Sequence, residues 1–192
     1  MKKTVAVHNK KFRKLISSAK IQKAISVIAK KIDTDFKNER PLFLSVLNGS
    51  FLFAADLLKK VKCECEISFI KVSSYAGTTS KGSVHTLIGL NENLNGRTVI
   101  IVEDIVDSGN TLEKVIAELK KHNPKEIKIA TLFFKPEAYT KKIKLDYKGM
   151  DVPNKFLLGY GLDCDGLGRN FQDVYVLESP SPFFPEEEKE KK

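Results

Sequence analysis

The sequence predicts an α/β domain built on a mostly parallel, twisted sheet flanked by helices, and three observations carry that prediction. Short apolar runs alternate along the chain with stretches of helical period. The central runs, LFLSVL at 42–47, RTVIIVED at 97–104 and EIKIATLFFK at 126–135, contain near-continuous apolar segments, as strands buried on both faces do. At 192 residues, 42% hydrophobic and 30% charged, the chain has the size and composition of one globular domain with a sizeable core.

Taken in order, Lys10 to Lys31 reads as a helix, with Leu15, Ile16, Ala19, Ile25, Ile28, Ala29 and Ile32 approximating one apolar face. Pro41 leads into the LFLSVL strand, which Asn48-Gly49 ends. Ser50 is placed to cap a helix through FLFAADLLKK. ECEISFIKVSSY at 64–75 is a second strand, and AGTTSKGSVHT after it is a loop or a weak hairpin. Asn95-Gly96 turns the chain into RTVIIVED. DSGNTLEKVIAELKKH follows as loop and helix, the helix beginning near Thr111 and halted by Asn123-Pro124. EIKIATLFFK is the fourth strand; beyond a lysine-rich connection, KFLLGYG and DVYVLES supply two more. Composition changes only at the end, where PSPFFPEEEKEKK becomes purely charged and is expected to be disordered. Residues 1–180 are therefore expected to form one domain, with 181–192 as a tail.

Composition excludes several function classes. A net charge of +9 and a pI near 9.3 favour anionic partners, but the lysines are spread along the whole chain. There is no zinc-finger spacing and no RNP-type aromatic strand, so a nucleic-acid reader is not expected. His8, His85 and His122 are scattered, without metal-ligand or triad spacing. Cys63, Cys65 and Cys164 form no CxxC pair; Cys63 and Cys65, two apart in an expected strand, share a face and read as packing residues. Neither a signal-peptide core nor a membrane-length apolar run is present, so the expected location is the cytoplasm.

The chemistry concentrates in VEDIVDSGNT at 102–111. Gly109 permits a tight turn, Ser108, Asn110 and Thr111 add polar donors, and the following helix points its free amides back into the loop. That is an anion site, suited to a phosphate monoester. Glu103 and Asp104 would repel the same anion, but they suit the hydroxyls of a ribose diol or a magnesium ion. Asp107, between the two, is placed to serve as a general base at the anomeric side of the sugar. The combination describes a 5-phosphoribosyl ligand. A Walker A loop is excluded because Gly109-Asn110-Thr111 lacks its lysine, and no dinucleotide fingerprint follows the strand.

VIIVEDIVDSGNT resembles the phosphoribosyl-pyrophosphate signature of type I phosphoribosyltransferases, and four further stretches resemble the hypoxanthine-guanine, or 6-oxopurine, branch of that family. VLNGSFLF at 46–53 resembles its pyrophosphate loop, Ser74-Tyr75 its lid, LFFK ending at Lys135 its purine-contacting lysine, and PNKFLLGYGLDCDGLGRNFQDVYVL its hood. The resemblance implies the type I fold, with a hood subdomain from about 150–175 plus the N-terminal segment. It implies transfer of phosphoribosyl from phosphoribosyl pyrophosphate to hypoxanthine or guanine, with Mg2+ as cofactor. In those terms Asp107 is catalytic, and Glu103, Asp104, Ser108, Gly109, Asn110 and Thr111 hold the ribose and its 5′-phosphate. Leu47, Asn48, Gly49 and Arg169 hold pyrophosphate, with an unusual cis peptide at Leu47–Asn48. Lys135, Phe156, Leu157 and Asp163 address the purine, and Glu103, Asp104 and Asp163 the metal. A homodimer or homotetramer is implied as well. The chain departs from the family in carrying Asn48 where many members have lysine, and a glycine-rich Asp165-Gly166-Leu167-Gly168 in the hood. The alternative from another class is a regulator with this fold that binds a nucleotide or RNA without catalysis.

Overall fold

The structure is a computed structural model that describes residues 3–73, 85–88 and 92–178. In chain order its elements are β1 (Thr4–Val7), β2 (Lys10–Ile16), α1 (Ser18–Asp35), β3 (Leu42–Val46), α2 (Phe51–Leu58), β4 (Glu66–Ser73), β5 (His85–Ile88), β6 (Thr98–Val106), α3 (Asn110–Lys120), β7 (Glu126–Phe134), β8 (Tyr147–Asp151), β9 (Leu157–Leu158) and β10 (Val174–Leu177). They form two sheets. The larger has the order β5-β4-β3-β6-β7-β8, with β4, β3, β6, β7 and β8 mutually parallel and β5 antiparallel at the edge. The smaller is antiparallel, β1-β2-β10-β9.

The central strands divide their side chains between two cores, which is why their sequences are apolar throughout rather than alternating. In β6, Ile100 and Val102 face the core covered by α1 and α2, while Val99 and Ile101 face the one covered by α3. Phe43 and Leu44 separate in the same way on β3. On α1 the stripe Ile21, Ile25, Ile28, Ala29 and Ile32 is fully buried; each isoleucine removed from water in this way contributes about 1.5–3 kcal/mol.

Several sequence expectations are corrected. Lys10–Ile16 is a strand, not the start of the first helix. Phe12 and Ile16 are buried, and the segment pairs with both β1 and β10, a long-range partnership that local helical period does not reveal. The helix starts at Ser18, after Ser17 turns its hydroxyl to the Lys20 amide and Asp173 accepts the Ser18 N–H at 2.8 Å. Ser50 occupies the start of α2 without capping it: its hydroxyl turns back to the Val46 carbonyl and to Ser45 Oγ. The helix after the signature begins at Asn110, with Gly109 as its cap in the left-handed region. Cys63 and Cys65 precede β4 rather than lying in it, half-buried against the α1/α2 core. The lysine-rich connection contains β8, and the expected KFLLGYG strand shortens to Leu157–Leu158. Ser74, Tyr75 and residues 181–192 lie outside the described residues.

One distortion positions the site. Along β6 the inward alternation reverses after Val102, so that Ile105, not Asp104, rejoins the α1/α2 core and Val106 rejoins the other. The adjacent β7 reverses at the same level, Leu132 and Phe133 both facing the first core. Regular strands keep their period, so both strands bend here, where Glu103 and Asp104 lie. Among the described residues no helix is long and apolar enough to cross a membrane.

Candidate active site

The site forms at the carboxyl ends of β3, β6 and β7, where open α/β sheets bind ligands. Val106 and Phe134 end their strands side by side in register, so the next residues emerge together. Their backbones stay joined by the Lys135 N–H donating to the Val106 carbonyl at 2.9 Å. As a result the Lys135 ammonium donates to Asp107 Oδ2 at 2.6 Å. The two ends of this pair differ in environment. The Lys135 side chain is 12% exposed and that of Asp107 50%, so the carboxylate presents a face to an incoming ligand while the lysine supports it from below.

The loop 108–111 follows directly. Gly109 adopts φ 85°, and the chain enters α3, whose first-turn amides point back at the loop. The segment around Thr140 holds this turn: the Thr140 N–H and Oγ1 both donate to the Ser108 carbonyl, at 3.3 and 3.2 Å. Glu113, an acid in the first turn of α3, is paired with Lys141 at 2.7 Å, which offsets its charge.

Behind the loop lie the two acids, 8% and 9% exposed. Glu103 Oε2 is buried with no hydrogen-bond partner. Burial holds the Glu103 carboxyl well above its ordinary range, and the Asp104 charge adds to the effect. Burial also lifts Asp104, to about 6, against the opposing influence of the Ile105 amide, which donates to Oδ1 at 2.7 Å, and of Arg169. The folded-state value thus lies above the ordinary 3.8, so the stabilising contribution of the protonated form is complete below about pH 4 and lost as the pH rises through about 6. In buffer free of divalent cations, Asp104→Asn is therefore expected to become progressively more stable than the parent between pH 4 and pH 6, read as denaturation midpoints. A difference constant across that range would contradict the burial of an uncompensated charge.

The loop after β3 crosses in front of these acids. It contains the cis peptide Leu47–Asn48. Its Gly49 lies so close to Asp104 that a Cβ there would stand 1.8 Å from Oδ2. Gly161 approaches from the opposite side, and a Cβ on it would stand 2.1 Å from the Gly49 carbonyl oxygen. Arg169 closes the group: Nη1 donates to the Gly161 carbonyl at 2.6 Å, and Nη2 pairs with Asp163 Oδ1 at 2.8 Å. Asp163 also accepts the Gly166 N–H at 2.7 Å.

The structure therefore brings Asp107 to Lys135, Gly49 to Asp104, and Arg169 to Asp163. Leu157 is buried in the short β9, its partner Val176. Phe156 is 46% exposed, its ring 6.2 Å from that of Phe12, so it is available as a stacking surface rather than a core residue. Sequence pattern did not single out Gly161, Thr140 or Lys141. Only the glycine pair of Gly159-Tyr160-Gly161 offered a signal, and that does not say which loop a glycine approaches.

A buried, partnerless carboxylate oxygen beside a second buried acid fits a hard divalent cation, which would supply the missing counter-charge. Among the described residues no group of three or more His, Cys, Asp or Glu is arranged to hold a metal ion. The described residues alone thus offer at most a partial shell, as magnesium sites completed by water and substrate phosphates do.

Residues 15–165 match the family model described as the phosphoribosyl transferase domain. The chain belongs to the phosphoribosyltransferase family, and its parallel sheet with flanking helices is that family's type I fold. Its relatives place it in the hypoxanthine-guanine branch. It is 39% identical to the hypoxanthine-guanine phosphoribosyltransferase of Lactococcus lactis over 165 residues, 85% of this chain and 90% of that protein. The crystal structure of a hypoxanthine-guanine phosphoribosyltransferase from Bacillus anthracis superposes with a TM-score of 0.80 at 38% identity, covering 85% of this chain and 96% of that one. The bifunctional protein TilS/HprT of Listeria monocytogenes is 38% identical over 174 residues, and this chain, 90% of it matched, spans only 27% of that protein's length.

Proposed function

We propose that this chain is a purine-salvage enzyme, a pentosyltransferase that moves the 5-phosphoribosyl group of phosphoribosyl pyrophosphate onto hypoxanthine or guanine, giving IMP or GMP and pyrophosphate. The observation that carries the proposal is the Asp107–Lys135 pair, set between an anion-binding helix start and a pair of buried acids. Each part has a task in that reaction.

The 5′-phosphate sits on Ser108 to Thr111, at the positive end of α3. Glu103 and Asp104 address the ribose hydroxyls. The purine lies against Phe156, with Leu157 offering backbone groups to its edge. Lys135 donates to the exocyclic oxygen at C6. Adenine presents an amino donor there, so the ammonium discriminates for 6-oxopurines. As the ring nitrogen bonds to C1′ and the C1′–oxygen bond to pyrophosphate breaks, Asp107 takes the proton from N7; in the reverse direction it returns it. The leaving group meets the amides of Leu47, Asn48 and Gly49, and Arg169, whose contacts to Gly161 and Asp163 leave further N–H donors for phosphate oxygens. Glu103 and Asp104, with Asp163, are the groups that would hold magnesium. A magnesium ion held there would supply positive charge to offset that of the departing pyrophosphate.

Ser74 and Tyr75 are assigned to the lid that excludes water from the reactive donor. Residues 1–180 form the catalytic domain, with the hood built from about 150–175 and the N-terminal segment. The enzyme is assigned to the cytoplasm as a homodimer or homotetramer. The test is incubation with phosphoribosyl pyrophosphate, magnesium and each base. IMP and GMP should form with stoichiometric pyrophosphate, and adenine should give none. Absence of a nucleotide product with every oxopurine would overturn the proposal.

A further inference from the structure

Gly159, Tyr160 and Gly161 form an arch in which all three residues have positive φ, at 103°, 50° and 96°. Glycine tolerates this region, but a tyrosine held there is strained and persists only where its surroundings enforce it. Both ends of the arch are pressed against other backbone. A Cβ on Gly159 would stand 2.2 Å from the Asp173 carbonyl oxygen, and Gly161 abuts the Gly49 carbonyl. The Gly161 N–H donates to the Arg169 carbonyl at 2.9 Å, and the Arg169 side chain returns a bond to the Gly161 carbonyl. One short segment thus touches the loop assigned to pyrophosphate and is hydrogen-bonded to the arginine assigned to it.

Tyr160 supplies the only side chain of the arch, and it is buried. Its hydroxyl donates to Asp56 Oδ2 at 2.7 Å. The same carboxylate accepts from Gln22 Nε2 at 2.6 Å and pairs with Lys59 at 2.5 Å. Asp56 lies on α2, the helix into which the pyrophosphate loop runs. The Tyr160–Asp56 bond therefore fixes the arch to the element that fixes the far end of the loop, closing a ring from loop to helix to tyrosine to Gly161 and back to Gly49. The carboxylate that receives the hydroxyl is shared with Gln22 of α1, so this one bond ties the arch to both helices.

We propose that Tyr160, through its hydrogen bond to Asp56, is a positioning residue for the pyrophosphate site, holding Gly161 on Gly49 and Arg169 in register with the loop amides. It touches no reacting atom. The proposal rests on the assignment of residues 47–49 and Arg169 to pyrophosphate, and it predicts a selective effect on that ligand. In Tyr160→Phe, which keeps the ring and removes the hydroxyl, KM for phosphoribosyl pyrophosphate should rise about tenfold, while KM for hypoxanthine stays within about twofold. Asp56→Ala should reproduce this split from the other side of the bond, and Asp56→Asn, which keeps a carbonyl acceptor, should restore it. Calorimetric titration with magnesium and pyrophosphate reads the same loss of affinity without turnover, so it separates failure of this proposal from failure of the catalytic assignment. Unchanged pyrophosphate affinity in Tyr160→Phe and Asp56→Ala, or an equal rise in both KM values, would overturn it. Should Tyr160→Phe not fold, the Asp56 pair decides alone.

Discussion

Asp107→Asn is expected to lower turnover about 10²–10⁴-fold while KM for phosphoribosyl pyrophosphate stays near that of the parent. The substitution is nearly isosteric, and its carbonyl oxygen can still accept the Lys135 hydrogen bond that now measures 2.6 Å. What it removes is the carboxylate proposed to take a proton from N7 as the new glycosidic bond forms. The proposed assignment puts the donor elsewhere, on the loop 108–111, the two acids and the loop 47–49, so its affinity should survive. Steady-state rates with hypoxanthine, and the reverse reaction from IMP and pyrophosphate, should fall together, because the same carboxylate accepts the proton one way and returns it the other. An unaffected rate would remove Asp107 from the acid–base role and leave it only the ion pair.

Gly49→Ala is expected to reduce kcat/KM for phosphoribosyl pyrophosphate by about 10²-fold and to cost about 1–3 kcal/mol of stability. The added Cβ would stand 1.8 Å from Asp104 Oδ2 and 2.6 Å from its Cγ. That carboxylate cannot swing aside freely, since it is buried and its other oxygen holds the Ile105 amide. Either the acid leaves its buried position or the loop lifts away from it and from Gly161. Both outcomes damage donor binding, and neither touches Lys135 or Asp107, so KM for the base should change far less. Denaturation midpoints alongside donor and base kinetics check the claim. A variant with parental donor kinetics would show that the loop does not depend on this contact.

Much of the fold was legible because the central strands are buried on both faces, Asn-Gly and Ser-Gly follow β3 and β6, and Asn-Pro follows α3. β3, β6 and β7 stand where their apolar runs are, and α3 follows its glycine. What was not legible depends on partners distant in the chain. Leu15 and Ile16 fit a helical stripe as well as a strand, and only the pairing of β2 with β10 decides between them. β8, with its lysine and glycine, is carried by its pairing with β7 rather than by its own composition. The site divides similarly. The glycine turn at the start of α3 and the acids before it could be read from 102–111, because those residues are contiguous. The Asp107–Lys135 contact follows only once β6 and β7 are known to be parallel neighbours with Val106 opposite Phe134. The contacts of Gly49 with Asp104 and Gly161 depend on backbone approach, which residue type alone does not encode.

The central claim is that one strand end divides the ligand, with acids for the sugar, a helix start for its phosphate, and Asp107 with Lys135 for the base. A crystal structure of the protein with bound IMP tests this most directly. The phosphate should lie on the amides of Ser108 to Thr111, the ribose hydroxyls over Glu103 and Asp104, N7 facing Asp107, and O6 within hydrogen-bond distance of Lys135 Nζ. A phosphate seated away from the start of α3, or a purine that leaves the Asp107–Lys135 pair untouched, would contradict the account.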